Sequence, residues 1–428
     1  MSSPFKIALV TALAALSLNA APAAAQPNPE QWSGAWTAAM MRPSGSPWFE
    51  TWAQKGFDDQ SVRQVIRLNA GGSKLRIRLS NAYGKTPLRL TGASVGRTGK
   101  GAAVAPGTLR TLRFDRSTAV TIPAGGKVVS DPVRLPTRPR DQLSVTLYFA
   151  GATGPATYHQ ISMTTTYRAD GDHRRDSRAS AFTDRIEPGL GSWYYLEGVE
   201  VTGDRSGRDG IVTIGESTTD GFGATPNGDD SYPHALAERL IAAGRARPVL
   251  NAGIGGNKLL ADSACSGDAT LSRFERDALD QPGAGAVIVS IGLNDILRRG
   301  DHICGVERDD PPVTLQRLLD GYRALIRGAH ARGVKVVGAT LTPFQGDAAP
   351  DEDTERAESL RQAVNSWIRT SGEYDAVADF DRAVADPADP TRMRREFMHR
   401  FSDTVYDPVH PNPAGYRAMA DAVDLDSL

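Results

Sequence analysis

Near residue 205 the hydrophobic pattern of the chain changes period, and this change limits the possible folds more than any other feature. Upstream, Leu75, Ile77 and Leu79 alternate with Lys74, Arg76, Arg78 and Ser80, and Leu143, Val145, Leu147 and Phe149 alternate with Ser144, Thr146 and Tyr148. A period of two with one polar face is the pattern of antiparallel strands that cover a core on one side. Gly71-Gly72, Tyr83-Gly84 and Pro123-Ala124-Gly125-Gly126 supply turn signals, and no helical period stands out between residues 60 and 200. Residues 30–204 therefore read as an all-β domain, a sandwich or jelly-roll-like fold.

A polar, glycine-containing link follows at Thr202 to Gly210. Beyond it, Ile211 to Ile214, Pro248 to Ala252, Ala286 to Ile291, Val334 to Leu341 and Ala376 to Phe380 read as buried strands. Between and after them, Tyr232 to Ala243, Val313 to Ala331, Thr354 to Thr370 and Pro413 to Val423 read as helices. Leu315, Leu318, Leu319, Tyr322, Leu325 and Ile326 share one helical face. Strand–helix alternation over residues 208–428 predicts an α/β domain whose parallel sheet is covered on both faces.

The first residues belong to neither region. Lys6 precedes an almost wholly apolar run, Ile7 to Leu18, and Ala23-Ala24-Ala25 offers small residues for cleavage. This predicts a signal peptide over residues 1–25 and a secreted or periplasmic mature chain. The apolar run is too short to span a bilayer comfortably, and no later segment is apolar enough, so stable membrane insertion is not expected. After export, Cys265 and Cys304 read first as a disulfide closing a loop of about 40 residues, worth roughly 4 kcal/mol. Two free thiols or a metal pair are the alternatives, without the spacing or His partners to support them. Lys plus Arg (49) nearly balances Asp plus Glu (50), so no global field favours nucleic acid.

Polar residues collect where the α/β strands end. The first strand runs into Gly215-Glu216-Ser217-Thr218-Thr219-Asp220-Gly221, the second into Asn251-Ala252-Gly253-Ile254-Gly255-Gly256-Asn257, and the third into Gly292-Leu293-Asn294-Asp295. After the last strand comes Asp407-Pro408-Val409-His410-Pro411. In open parallel sheets ligands bind beyond the carboxyl ends of the strands, so these segments are expected to converge on one rim.

Acyl transfer requires this set of groups. A serine hydroxyl becomes a nucleophile when an imidazole takes its proton, and a carboxylate fixes the tautomer of that imidazole. Ser217, His410 and Asp407 are the candidates. The oxyanion needs preorganised donors. Ser217 can offer its own N–H, Gly256 a second, and Asn294 its side-chain amide. No metal ion or organic cofactor is called for.

These blocks resemble those of the SGNH (GDSL) hydrolases. Residues 215–221 are similar to the first block, Asn251 to Gly256 to the second with its glycine at Gly256, Gly292-Leu293-Asn294-Asp295 to the G-x-N-D third, and Asp407 to His410 to the D-x-x-H fifth. All stand in family order over roughly residues 208 to 425. The resemblance implies a flavodoxin-like, three-layer α/β/α domain, with Ser217, Gly256, Asn294 and His410 as the namesake residues and Asp407 supporting His410. One departure is Glu216, where the family usually has Asp; it keeps the charge but changes the reach of the hydrogen bonds beside the nucleophile. Segments such as Val62 to Arg67, Leu79 to Gly84 and Tyr158-His159-Gln160 resemble the β-rich domain that precedes the hydrolase domain in many exported bacterial GDSL proteins.

The expected function is that of an exported serine ester hydrolase, a carboxylesterase or acetylesterase acting on small-molecule or polysaccharide-linked acyl esters. The alternatives are a GDSL-type lipase or phospholipase, and a glycan-binding protein whose hydrolase domain is silent. Among the other histidines, His159 is expected as a rim residue if the β-domain covers the cleft, while His173, His234, His302, His330 and His399 read as surface or hydrogen-bonded structural residues. Arg392, Arg394, Arg395 and Arg400 read as a solvated face or as a contact for an acidic substrate. Asp220 and Asp295 could ligate a metal with His410, but no third His is positioned for it.

Overall fold

In the structure, a computed structural model that describes residues 1, 30–45, 50–187, 191–202, 208–297 and 312–428, the period-two segments form two antiparallel sheets. One pairs Trp32–Thr37, Leu196–Thr202 and Gly72–Ser80 in that order, with Lys127–Val129 and Val133–Thr137 both pairing Gly72–Ser80. The other runs Asp184–Ile186, Thr166–Asp170, Gln60–Arg67, Gln142–Phe149, Gly92–Arg97, Arg110–Leu112. Their apolar faces meet in one core that holds Leu75, Ile77, Leu79, Val62, Ile66, Leu143, Val145 and Leu147. That is a β-sandwich. Apart from Met1, the stretch read as a signal peptide lies outside the described residues, as does Cys304; Cys265 is buried.

The polar face of the second sheet differs from expectation. Arg63, Ser144 and Thr146 are fully buried rather than solvated. The chain folds back over them: Arg63 donates from Nε to Thr146 Oγ1 at 2.8 Å, from Nη1 to Ala102 O at 2.6 Å and from Nη2 to Asp176 O at 2.6 Å. Its guanidinium also lies 3.9 Å from the ring centroid of Phe182. Alternation is set by the pleat, whereas solvation of a face depends on what packs over it later.

After residue 208 the five parallel strands stand in the order Val249–Gly253, Gly210–Gly215, Ala284–Ser290, Lys335–Ala339, Ala376–Ala378. This 2-1-3-4-5 order is flavodoxin-like. Ile211, Val249, Ile288 and Val337 face Leu236, Leu240, Tyr416 and Met419 on one side. Val212, Ile214, Val287 and Val289 share the other core with Leu318, Leu325 and Val364. The three layers are thus helices Tyr232–Ala242 and Pro413–Asp421, the sheet, and helices Leu315–Ala331 and Glu352–Thr370. Short caps set the helix starts: Asp351 accepts Thr354 N at 2.8 Å, and Asn412 accepts Ala414 N at 2.9 Å with Pro413 at the first helical position. No helix among the described residues is long and apolar enough to cross a membrane.

The β-sandwich and the α/β layers belong to one unit, Gln31–Leu428. Gly34 N donates to Pro282 O at 3.0 Å, Asn69 Nδ2 to Val249 O at 2.6 Å, Arg78 Nη2 to Gln281 Oε1 at 2.6 Å and Tyr83 Oη to Asp268 Oδ2 at 2.6 Å.

Candidate active site

The strands Gly210–Gly215 and Ala284–Ser290 flank the point where the strand order reverses, the place where such sheets leave a crevice. Gly210–Gly215 ends in Glu216, which is extended at φ −104°, and the chain turns at once into the short helix Ser217–Asp220. Gly221, at φ 116°, closes that helix in a conformation L side chains rarely adopt. Ser217 is the first helical residue, so its N–H has no partner within the helix. Its half-buried hydroxyl meets His410, with Oγ 2.8 Å from Nε2.

A β-bulge brings His410 there. Met398–Arg400 pairs antiparallel with Tyr406–Pro411, and His399 stands opposite Asp407 while Met398 stands opposite Pro411. Pro408, Val409 and His410 therefore bulge out of the ladder, a device that re-aims a side chain. Asp407 Oδ1 accepts Val409 N at 2.8 Å and His410 N at 3.1 Å, and Oδ2 accepts His410 Nδ1 at 2.6 Å. Burial alone would push Asp407 up; the His410 hydrogen bond and the two backbone donors outweigh it and hold the carboxyl below its ordinary range. An ionised Asp407 keeps the proton of His410 on Nδ1, which leaves Nε2 to accept from Ser217. The edge of Phe222 braces the imidazole, with centroids 4.7 Å apart.

The second and third loops meet beside Glu216, the residue before Ser217. Gly256 lies at φ +72° in a turn where Asn257 N donates to Ile254 O at 3.1 Å, and its own N–H has no acceptor among the described residues. Asn294 Nδ2 donates to Glu216 Oε2 at 2.9 Å and to Asn257 O at 3.1 Å, so both amide hydrogens are engaged. Burial pushes Glu216 up to about 8, against the pull of its Asn294 hydrogen bonds. Asp295 is pushed up to about 6 by burial, although Leu259 N and Leu260 N donate to it at 2.7 and 3.1 Å.

Several supporting residues have no signature in the sequence. Arg273, fully buried, donates to Gly215 O at 3.0 Å, Ala252 O at 2.7 Å and Asn257 Oδ1 at 3.0 Å, tying together the ends of two strands and the loop of Gly256. It lies in a short helical stretch, Thr270–Phe274, whose apolar spacing is too brief to read. Phe222 follows the first block directly but carries no local mark of its partner, which is almost two hundred residues away. The hairpin of His410 differs from expectation: the sequence places Asp407 to Pro411 after the last strand, whereas Tyr406–Pro411 is itself a strand paired with Met398–Arg400.

His159 is not at a rim. It is buried, with Nε2 3.0 Å from Asp220 Oδ1 and Nδ1 2.8 Å from Ala39 O. His173, His234 and His330 bond Asp176, Ser231 and Asp375 at 2.7, 2.9 and 2.9 Å, and His302 lies outside the described residues. His399 belongs to the ring cluster of the site, 5.8 Å from Phe222 between centroids. Half of the arginine cluster is ion-paired: Arg392 pairs with Asp347 at 3.2 Å and Arg400 with Asp403 at 2.5 Å, while Arg394 Nε donates to Ala385 O at 3.1 Å. Arg395 stacks 4.2 Å over Tyr406. Asp220 and Asp295 spend their carboxyls on N–H donors, and among the described residues no group of three His, Cys, Asp or Glu could hold a metal ion.

Residues 213–418 match the GDSL-like lipase/acylhydrolase family. No curated protein matches the chain. Similar solved structures include an acetyl xylan esterase, AlAXEase, at 20% identity and TM-score 0.37 over 50% of this chain and 96% of that one. A GDSL-like lipase from Bacteroides thetaiotaomicron is 14% identical at TM-score 0.34, over 50% of this chain and 85% of that one. A variant of an acetyl xylan esterase from Geobacillus stearothermophilus is 20% identical at TM-score 0.36, over 51% and 93%. The chain is an ester-bond hydrolase whose residues 213–418 form a domain of the GDSL-like lipase/acylhydrolase family.

Proposed function

We propose that the protein hydrolyses esters of small acyl groups, acetyl above all, carried on a polysaccharide or a small alcohol, through an acyl-enzyme on Ser217. The observation that supports this is the unbroken relay from Ser217 Oγ through His410 to Asp407, at 2.8 and 2.6 Å. His410 Nε2 accepts the Ser217 proton as Oγ adds to the ester carbonyl. The N–H groups of Ser217 and Gly256 take the oxyanion, and Asn294 joins them by releasing Glu216 or Asn257. The tetrahedral adduct collapses, the C–O bond breaks, and His410 returns the proton to the departing alkoxide. His410 then draws a proton from water, which attacks the acyl-enzyme and restores Ser217. These steps require no metal ion or cofactor.

Ser217→Ala should lower turnover of p-nitrophenyl acetate by about 10⁴-fold or more while the unfolding temperature stays near that of wild type. Turnover retained by that variant would remove the assignment. A silent, glycan-binding domain would take no fluorophosphonate label on Ser217.

A lipase reading draws on Phe401 and Val405, which are 58% and 51% exposed on the hairpin that carries His410. Rates across esters from short to long acyl chains, beside acetate release from acetylated xylan or pectin, separate the two readings. The chain is further proposed to be exported, with cleavage after Ala25 and a Cys265–Cys304 disulfide. N-terminal sequencing and intact mass before and after reduction test both.

A further inference from the structure

A buried histidine of the β-rich region reaches the catalytic loops. His159, on the strand Tyr158–Gln160, is 2% exposed, and the side chain of Asp220, the last residue of the nucleophile helix, is 4% exposed. The two meet at 3.0 Å, His159 Nε2 to Asp220 Oδ1. Asp220 Oδ2 in turn accepts Gly255 N at 2.8 Å, one residue before Gly256. On its far side His159 Nδ1 donates to Ala39 O at 2.8 Å, and its ring stacks on Trp193 with centroids 5.3 Å apart. A second contact from the β-rich region falls on the same turn: a Cβ at Gly255 would stand 2.9 Å from Ile161 Cδ1.

A carbonyl oxygen can only accept, so Nδ1 carries a proton. The other proton lies between Nε2 and Asp220, either on an imidazolium facing a carboxylate or on a carboxylic acid facing a neutral imidazole. Both arrangements leave the paired polar atoms satisfied. Burying such a pair costs desolvation that its mutual attraction seldom exceeds, and apolar side chains would pack as well. The pair supplies what apolar packing cannot, a fixed acceptor for Gly255 N–H.

We infer that His159 is a positioning residue for the esterase site: through Asp220 and Gly255 it fixes the turn that aims the Gly256 N–H, making the β-rich region part of the catalytic architecture. This rests on the ester hydrolase reading above. An oxyanion donor acts on the transition state rather than on bound substrate, so its misplacement lowers kcat and spares KM.

The test uses the full chain. His159→Phe fills the space without a hydrogen bond, and His159→Gln can still donate to Asp220. For p-nitrophenyl acetate, His159→Phe should lose on the order of 100-fold in kcat at unchanged KM, and His159→Gln should recover to within about tenfold of wild type. Amide exchange of the 253–257 segment should be faster than wild type in His159→Phe and intermediate in His159→Gln. A folded His159→Phe with wild-type kcat and wild-type exchange would overturn the inference, as would equal losses in both variants. Should His159→Phe not fold, His159→Gln decides by itself: a smaller kcat loss with faster 253–257 exchange supports the link, and wild-type values of both defeat it. A wild type that neither turns over ester nor takes a fluorophosphonate label would defeat the esterase reading instead, and the exchange of Gly255 would still test the link.

Discussion

Glu216 Oε2 accepts the side-chain amide of Asn294 at 2.9 Å, one residue before Ser217. The first block of the family usually has Asp here, one methylene shorter than Glu. Asn257 O takes the second amide hydrogen at 3.1 Å. Asn294 can therefore serve an oxyanion only by leaving one of its two acceptors. A neutral carboxyl is the weaker acceptor and releases the amide more readily than a carboxylate would.

Activity should depend on the charge of Glu216. Burial pushes its carboxyl up to about 8. Ionisation above that value would hold Asn294 more tightly and set a negative charge beside the developing oxyanion. Wild-type kcat should decline as pH rises through about 8, and Glu216→Gln, which accepts the same amide without titrating, should stay flat. Superimposable alkaline limbs would refute this. Stability moves the same way. From about 4.5 to about 8 the folded chain holds a proton at Glu216 that the unfolded chain has lost. Wild type should therefore lose stability relative to Glu216→Gln across that window, as thermal unfolding at stepped pH would reveal.

Asp407→Asn should cost about 10³- to 10⁴-fold in kcat, because an amide can hold the wrong tautomer of His410. The carboxyl sits below its ordinary range, since the bonds from His410 and the backbone outweigh burial. Its contribution to stability is thus present above the unfolded value of about 4 and is lost as pH falls through the folded one. Thermal unfolding in acid should show this decline in wild type and a shallower one in Asp407→Asn.

Arg273→Lys should destabilise the fold by about 3 kcal/mol and lower kcat as well. A lysine is a point charge and cannot reach Gly215 O, Ala252 O and Asn257 Oδ1 together, as the guanidinium fork does. Denaturant unfolding of the variant at the wild-type midpoint would show that the fork is dispensable.

Phe222→Ala removes the edge that braces His410 at 4.7 Å. Such ring contacts are worth about 1 kcal/mol, so kcat should fall roughly fivefold to tenfold, with little change in unfolding temperature. An unchanged kcat would mean that Asp407 alone fixes the imidazole.

Much of the fold was legible from local pattern. Leu318, Leu325 and Ile326 recur at helical spacing, and the runs around Val212 and Val287 are apolar because both faces of a parallel sheet are covered. Ser217, Gly256, Asn294, Asp407 and His410 were legible as blocks, each at the end of a strand or beyond the last one. The bulge that turns His410 under Asp407 was not, because a bulge depends on what the partner strand Met398–Arg400 presents opposite. Nor was the burial of Arg63 and Thr146, since the segments covering them are distant in sequence.

Period, turn residues and block order are properties of neighbouring residues, and they were enough to indicate the two architectures and the residues that meet at the sheet edge. Protonation and hydrogen-bond partners are properties of an environment assembled from remote segments. Only the folded chain decides that Glu216 is held neutral by burial, that Asn294 is spent on it, and that His159 joins the β-rich region to the nucleophile helix. Each of these depends on desolvation and on distances of about 3 Å between groups that the chain brings together from dozens of residues apart.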